Sequence, residues 1–350
     1  MNDEKFKVLF VCKKRVDSYG ISFGLLNSAR MLAAILAGEG IESVVEAVDD
    51  ANGIDRVVCL HRPTHVIIHA LWAAPAKILE LCRKHRKVSW NVRVHSKPPF
   101  LAMEGIASSW IAAYSGIQAC MGNLWMSANS RETNELMRDV FGCRSLMLPN
   151  AYVAPERPEG CATIEVDHSR LNVACFGAIR PLKNHYAQAV AAMSYAKTIG
   201  MMLDFHVNHG REEQGGDRVV RNLRAMFDAS GGHRLVEHSW YPHGVLVHCV
   251  LPMMDIGMQV SLTETFNIVA ADMVAAGLPT IGSQDIYWMS WLFHADPNDI
   301  DNMVSTMSAA DRLGGFGVWL NRRGLRRANV RAVRTWKRGL RLTSVQASGR

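Results

Sequence analysis

Two segments of the 350-residue chain gather groups able to handle a phosphorylated ligand. In SLTETFNIVAADMVAAGLPTIGS, residues 261 to 283, the run after Phe266 has helix propensity and ends at Gly277, where a C′ glycine belongs, ahead of Pro279 and a new strand. Glu264, Thr265 and Phe266 then lie on a loop entering a helix, whose free backbone N–H groups suit a phosphate. Asp272 is the only charge in that otherwise apolar helix. The plainer alternative puts Asp272 on a solvated face and makes Glu264 an N-terminal carboxylate favoured by the helix dipole. In FGAIRPLKNHYAQAV, residues 176 to 190, Arg180 and Lys183 stand just before a helix, where cations are disfavoured unless an anion fills the gap between them and the dipole. A diphosphate would fill it; two exposed loop cations are the bland reading.

The elements that must position these loops follow from hydrophobic periodicity. Short apolar runs (KVLFVC, VVEAV, HVIIHALW, VSWNVRVH) alternate with longer amphipathic segments (GLLNSARMLAAILAGEG, KILELCRKHR), the pattern of parallel sheets with crossover helices on both faces. A polar, proline-bearing stretch, PNAYVAPERPEG, interrupts the alternation, which restarts at LNVACFG. The expected organisation is two doubly wound α/β domains, 1–158 and 159–320, followed by a basic C-terminal helix, 321–350, returning toward the first domain. Ligands of such sheets sit beyond the carboxyl ends of the strands, and two facing sheets make a cleft.

Composition narrows the class. With 49% hydrophobic and 20% charged residues the chain should bury a core, which excludes a disordered protein. The eight cysteines stand singly with no C-x-x-C pair, which argues against a zinc ribbon or a disulfide framework and predicts reduced, mostly buried thiols. MNDEKFKVLFVC has acids where a signal peptide needs bases, and no apolar run reaches spanning length, so a cytoplasmic protein is expected. The D-x-D of Asp299 and Asp301 sits where a helix cap is expected, and no metal site is assigned.

Together the motifs resemble the retaining glycosyltransferases of family four. Glu264 through Asp272 is similar to the family's E-x7-E signature, with Asp in the second place. FGAIRPLKN resembles its donor loop, NSRETNELMRDVFG its N-S-x-x-T segment, LPNAYV the start of its interdomain linker, and VRVHS its strand-end histidine segment; the Gly20/Gly24 loop resembles its glycine turn. The resemblance implies the GT-B fold, two facing Rossmann-like domains with a cleft between them, and a nucleotide-sugar donor, UDP-linked, as co-substrate with no metal or other cofactor. It implies that Glu264 hydrogen-bonds donor-sugar hydroxyls, that Asp272 holds the ribose, that Lys183 neutralises the diphosphate and that His95 approaches the sugar from the acceptor side. Gly20, Arg180, Thr265, Phe266 and Asn267 complete the implied donor site. Two departures stand out: Ala178 replaces the usual donor-loop arginine, with Arg180 two residues on, and Asn267 replaces the usual glycine. The implied reaction is a front-face substitution in which the leaving phosphate accepts the acceptor's proton.

Charge placement bears on the acceptor. Net charge is +7, but residues 322 to 350 hold ten Lys/Arg and no acid, leaving −3 on the rest. Such asymmetry points to a polyanionic partner. Strand-end loops of the first domain add Lys13, Lys14, Arg15, Arg93 and Lys97, with RKHRK at 83–87 nearby, as an acceptor-binding set. DNA carrying a hydroxymethyl-pyrimidine, as in bacteriophage genomes, is the favoured acceptor; an anionic membrane surface with a lipid-linked or cell-surface glycan is the alternative.

Overall fold

The computed structural model describes residues 6–14 and 23–347, and the chain divides into two compact units, residues 1–153 with 328–350, and residues 154–327. The first unit holds β1 (Lys7–Lys13), β2 (Glu42–Val48), β3 (His65–His69), β4 (Ser89–Val94), β5 (Leu124–Ala128) and β6 (Ser145–Met147), all parallel, in the order β2-β1-β3-β4-β5-β6. Every residue of β3, β4 and β5 is buried, as expected when helices cover both faces of a parallel sheet. Side chains alternate between the two faces. Leu9 and Val11 join a core with Ile78, Leu81 and Tyr114, while Val8 and Phe10 pack with Leu26, Leu32 and, from the far end of the chain, Trp336 and Leu340.

The second unit holds β7 (Leu171–Ala174), β8 (Leu203–Asn208), β9 (Arg234–His238), β10 (Ile256–Gln259), β11 (Thr280–Ser283) and β12 (His294–Ala295), again parallel, in the order β12-β11-β10-β7-β8-β9. Read from its other edge this is the 3-2-1-4-5-6 order of dinucleotide-binding folds, whose chain direction reverses between β7 and β10. The corresponding reversal in the first sheet lies between β1 and β3. Gly277 ends the helix Ile268–Ala276 in the left-handed conformation at φ 93°, as its position in the sequence predicts. The helix Ile300–Ala347 starts in the second unit, breaks at Gly314 (φ 44°, ψ −124°) and ends in the first. Among the described residues no helix is long and apolar enough to cross a membrane. Asp299 accepts the N–H of Asn302 at 2.9 Å, the helix cap read from the sequence.

The cysteines correct one expectation. Cys161 and Cys249, 88 residues apart, form a disulfide with Cα atoms 6.4 Å apart, a pairing that local spacing cannot reveal. Of the other six, Cys12, Cys82, Cys143 and Cys175 are buried and Cys59 and Cys120 exposed.

Several histidines are folded into the interior uncharged. Burial pushes His65 down to about 4 although Leu340 O accepts from it, and holds His185 and His206 at about 3. The unfolded chain takes up protons near pH 6.5 where the folded chain does not. Stability is therefore level above that pH and falls through the window from about 6.5 to 4 for His65 and to about 3 for the other two. At pH 5 each costs on the order of 2 kcal/mol. Thermal melts should be flat between about pH 7 and 8 and fall steeply below 6.5, with a shallower slope in His206→Gln; equal melting temperatures at pH 5 and 7 contradict the burial argument.

Candidate active site

In the second unit two loops leave the carboxyl ends of β7 and β10, the strands that flank the reversal. The first passes Gly177 (φ 119°) into a single 3₁₀ turn, Pro181–Lys183, and then Asn184, whose left-handed φ of 59° starts the helix His185–Thr198. The second runs from Val260 to Asn267 and enters the helix Ile268–Ala276. Cross-bonds fasten the loops together. Leu262 N donates to Leu182 O at 2.9 Å, Val260 N to Gln188 Oε1 at 2.8 Å, and Gln188 Nε2 to Lys183 O at 2.7 Å. This brings Lys183 Nζ against Glu264 Oε1 in an ion pair across 81 residues of sequence, with 16% and 11% of the side chains exposed. Ser261 Oγ also reaches Glu264 (3.4 Å), and the Glu264 N–H donates to Asp285 Oδ2 (2.9 Å).

Thr265 is half-buried and Phe266 fully buried, its carbonyl accepting from Trp288 Nε1 at 2.7 Å. Asn267 sits at φ 57°, a conformation glycine adopts freely and Asn better than most. Its Oδ1 caps Ala270 N (2.9 Å) while its Nδ2 donates to Gln259 Oε1 (2.9 Å), so the side chain takes one of the helix N–H groups left open in the sequence reading. Thr263 Oγ1, in the loop after β10, and Ser283 Oγ, at the end of β11, are buried without a partner among the described residues and offer hydroxyls to a ligand.

Asp272 departs from the solvated-face alternative. Its side chain is 3% exposed and accepts from His243 Nε2 at 2.7 Å. Arg180 lies 3.4 Å from Glu213 Oε2, and Arg211 Nη2 holds the other oxygen of that carboxylate at 2.9 Å. The loop carrying Glu213 runs close beneath: Ile179 bridges Glu212, and a Cβ on Gly216 would collide with Ile179 O. Ala178 is buried. Behind the cations, burial and then the charges of Lys183 and Arg180 hold the His185 imidazole neutral.

In the first unit His95 follows β4 and is partly exposed. Arg93 cannot serve as an acceptor-facing cation: it is 0% exposed, and its guanidinium donates to Leu148 O and Asn150 Oδ1. A penultimate residue of a strand covered on both faces points inward, whatever its charge. Lys97 pairs with Glu132 (3.1 Å) and Lys14 with Asp49 (3.4 Å), while Lys13 is exposed at the end of β1. The RKHRK run precedes the amino end of β4, about 20 Å of strand away from His95, so it does not share the ligand edge of the sheet. Gly24 belongs to the helix Phe23–Gly38 and makes no turn. Arg15 and Gly20 lie outside the described residues.

The sequence reading named Lys183, Glu264, Arg180 and Asp272 and missed groups that contact them: Asp285 and Glu213, on loops with no motif of their own, and His243, at the start of a short helical turn. No protein-family model and no curated protein sequence matches the chain. Its backbone is similar to solved structures. The α,α-trehalose 6-phosphate synthase of Burkholderia multivorans aligns over 98% of this chain and 100% of its own at a TM-score of 0.65 and 11% identity. A trehalose-6-phosphate synthase structure devoted to glycosyl transfer with retention aligns over 96% and 99% at 0.63 and 11%. Anabaena HepE, in complex with UDP and glucose, aligns over 95% and 99% at 0.61 and 11%. At such identities the likeness is one of fold, and that fold, built of two six-stranded parallel α/β units, is the GT-B fold of glycosyltransferases.

Proposed function

We propose that the chain is a retaining glycosyltransferase that moves a hexose from a UDP-sugar to the exocyclic hydroxyl of a hydroxymethyl-pyrimidine in DNA. The observation that carries the transfer reaction is the Lys183–Glu264 pair at the strand reversal of the second sheet, where open α/β folds bind nucleotides. Without a donor each group satisfies the other. A diphosphate draws Lys183 toward its oxygens and frees Glu264 to accept hydroxyls of the sugar, with Thr263 and Ser283 as further hydrogen-bond partners. Departure of the sugar leaves negative charge on the diphosphate, and a fixed ammonium in a partly buried site stabilises that charge more than water would. The acceptor hydroxyl's proton passes to the leaving phosphate oxygen. Structures similar in fold support the donor and the stereochemistry: HepE is in complex with UDP and glucose, and a trehalose-6-phosphate synthase is described with retention.

The acceptor rests on the C-terminal helix. Arg322 is engaged with Val274 O and Ala275 O, and Lys337 with Glu39. Arg323, Arg326, Arg327, Arg331, Arg334 and Arg338 stay exposed on a stretch without acids, a track for phosphates. With about five phosphates neutralised, binding to duplex DNA should weaken several hundredfold between 50 and 200 mM salt. Sugar should be transferred from UDP-glucose to hydroxymethylated DNA and not to unmodified DNA of the same sequence. Transfer to a membrane lipid extract, with none to hydroxymethylated DNA across a donor panel, overturns the DNA acceptor and leaves the donor site standing.

A further inference from the structure

His95 and Arg93 are joined by a contact whose chemistry has one solution. Arg93, the penultimate residue of β4, is fully buried. Its Nε and Nη2 donate to Leu148 O at 3.2 and 2.8 Å, Nη2 also to Asn150 Oδ1 at 2.6 Å, and the guanidinium lies 5.4 Å from the centre of the Trp336 ring. These bonds fix the plane of the fork and leave Nη1 directed at His95 Nε2, 3.2 Å away. A guanidinium has five N–H donors and no acceptor, and it stays charged at every pH a protein survives. The imidazole nitrogen opposite it must therefore be the acceptor.

We propose that Arg93 is a positioning residue that fixes His95 as the neutral tautomer with its proton on Nδ1, so that His95 meets its ligand as a hydrogen-bond donor and never as a base. Protonating Nε2 would set two N–H groups and two cations against each other at 3.2 Å, inside a region where Arg93 has no exposure. His69, at the end of β3, lies against the His95 ring at 4.8 Å between centroids, tilted by 33°. It is fully buried, and neither of its nitrogens has a partner among the described residues. Burial and then Arg93 hold it well below the ordinary histidine range, and burial pushes the nearby Cys12 thiol on β1 up to about 12. Burial, Arg93 and His69, in that order, depress His95 itself. Among the described residues, the Arg93 guanidinium thus lies beside two imidazoles and a thiol that burial keeps neutral.

The inference deepens the reading of His95 as a residue of the transfer site. A neutral Nδ1–H donor suits a sugar hydroxyl oxygen, and it leaves the acceptor's proton to the phosphate. The experiment is two-bond ¹H–¹⁵N correlation of the imidazole nitrogens in the full-length protein without substrate, with His95 assigned by the signal lost in His95→Gln. The expected result is the Nδ1–H pattern for His95, unchanged between about pH 6 and 8, and the same pattern in Arg93→Lys, which keeps a donor-only cation. An Nε2–H pattern, or a titration within that range, overturns the proposal in the wild-type protein, whether or not any Arg93 variant folds. Because no donor or acceptor is present, loss of the glycosyltransferase reading would show in the transfer assay and leave this spectrum as it is.

Discussion

Glu264→Gln should retain the fold and lower sugar transfer by about two to three orders of magnitude, and Lys183→Ala should do the same. The scale is that of removing one preorganised charge or hydrogen bond aimed at a reacting group. Neither side chain is needed for the core: both belong to loops that are fastened by Leu262, Val260 and Gln188 through bonds independent of the ion pair. The double variant should be little worse than either single one, because the two groups act as a unit on one ligand. Steady-state kinetics on hydroxymethylated DNA, beside circular dichroism of each variant, makes the check. Near wild-type turnover in both single variants would place the donor site elsewhere in the chain.

Trp336→Ala should cost the first unit about 3–5 kcal/mol, the range for truncating a large buried aromatic side chain. The indole is 1% exposed, packs edge-on against Phe10 at 5.7 Å, lies over Arg93 and donates from Nε1 to Pro149 O at 2.8 Å. Its loss opens a cavity against β1 and leaves a buried carbonyl without its donor. Trp336→Phe fills most of the space and loses the hydrogen bond alone, so it should cost only about 1–2 kcal/mol. Scanning calorimetry resolves the two, with a fall of about 10 °C expected for alanine. An unshifted melt in Trp336→Ala would show that the helix does not contribute to the first unit's core. The indole is thus a core residue, and no stacking role on DNA is assigned to it.

What the sequence revealed and what it hid divide along the range of the interactions. Alternating apolar runs mark strands and crossover helices because each run must bury two faces, and Gly277 marks a helix end because its φ is costly for other residues. The Lys183 and Glu264 loops were legible because each has the chemistry of a helix entrance within a few residues. Asp272 was misplaced as an alternative because its partner, His243, is 29 residues away in a short helical turn without a recognisable pattern. Cys161 and Cys249 were hidden by their separation in the same way. Arg93 is a different failure, since its signal was present: SWNVRV is a central strand buried on both faces, so an arginine within it has to find its partners in the interior. Counting it with the surface cations took charge as a guide where position in the sheet was the stronger constraint.

The first unit is closed by residues 328–347, although its sheet is complete by Met147. During synthesis its strands emerge about 200 residues before Trp336 and Leu340, a wait of roughly 10–40 s at ordinary elongation rates. Over that interval Val8, Phe10, Leu148 and their neighbours present an uncovered apolar surface at the ribosome, whereas the second unit is one contiguous segment and can fold as it emerges. The N-terminal half is therefore the later of the two to mature, and nascent chains stalled before the final helix should be the ones that chaperones retain.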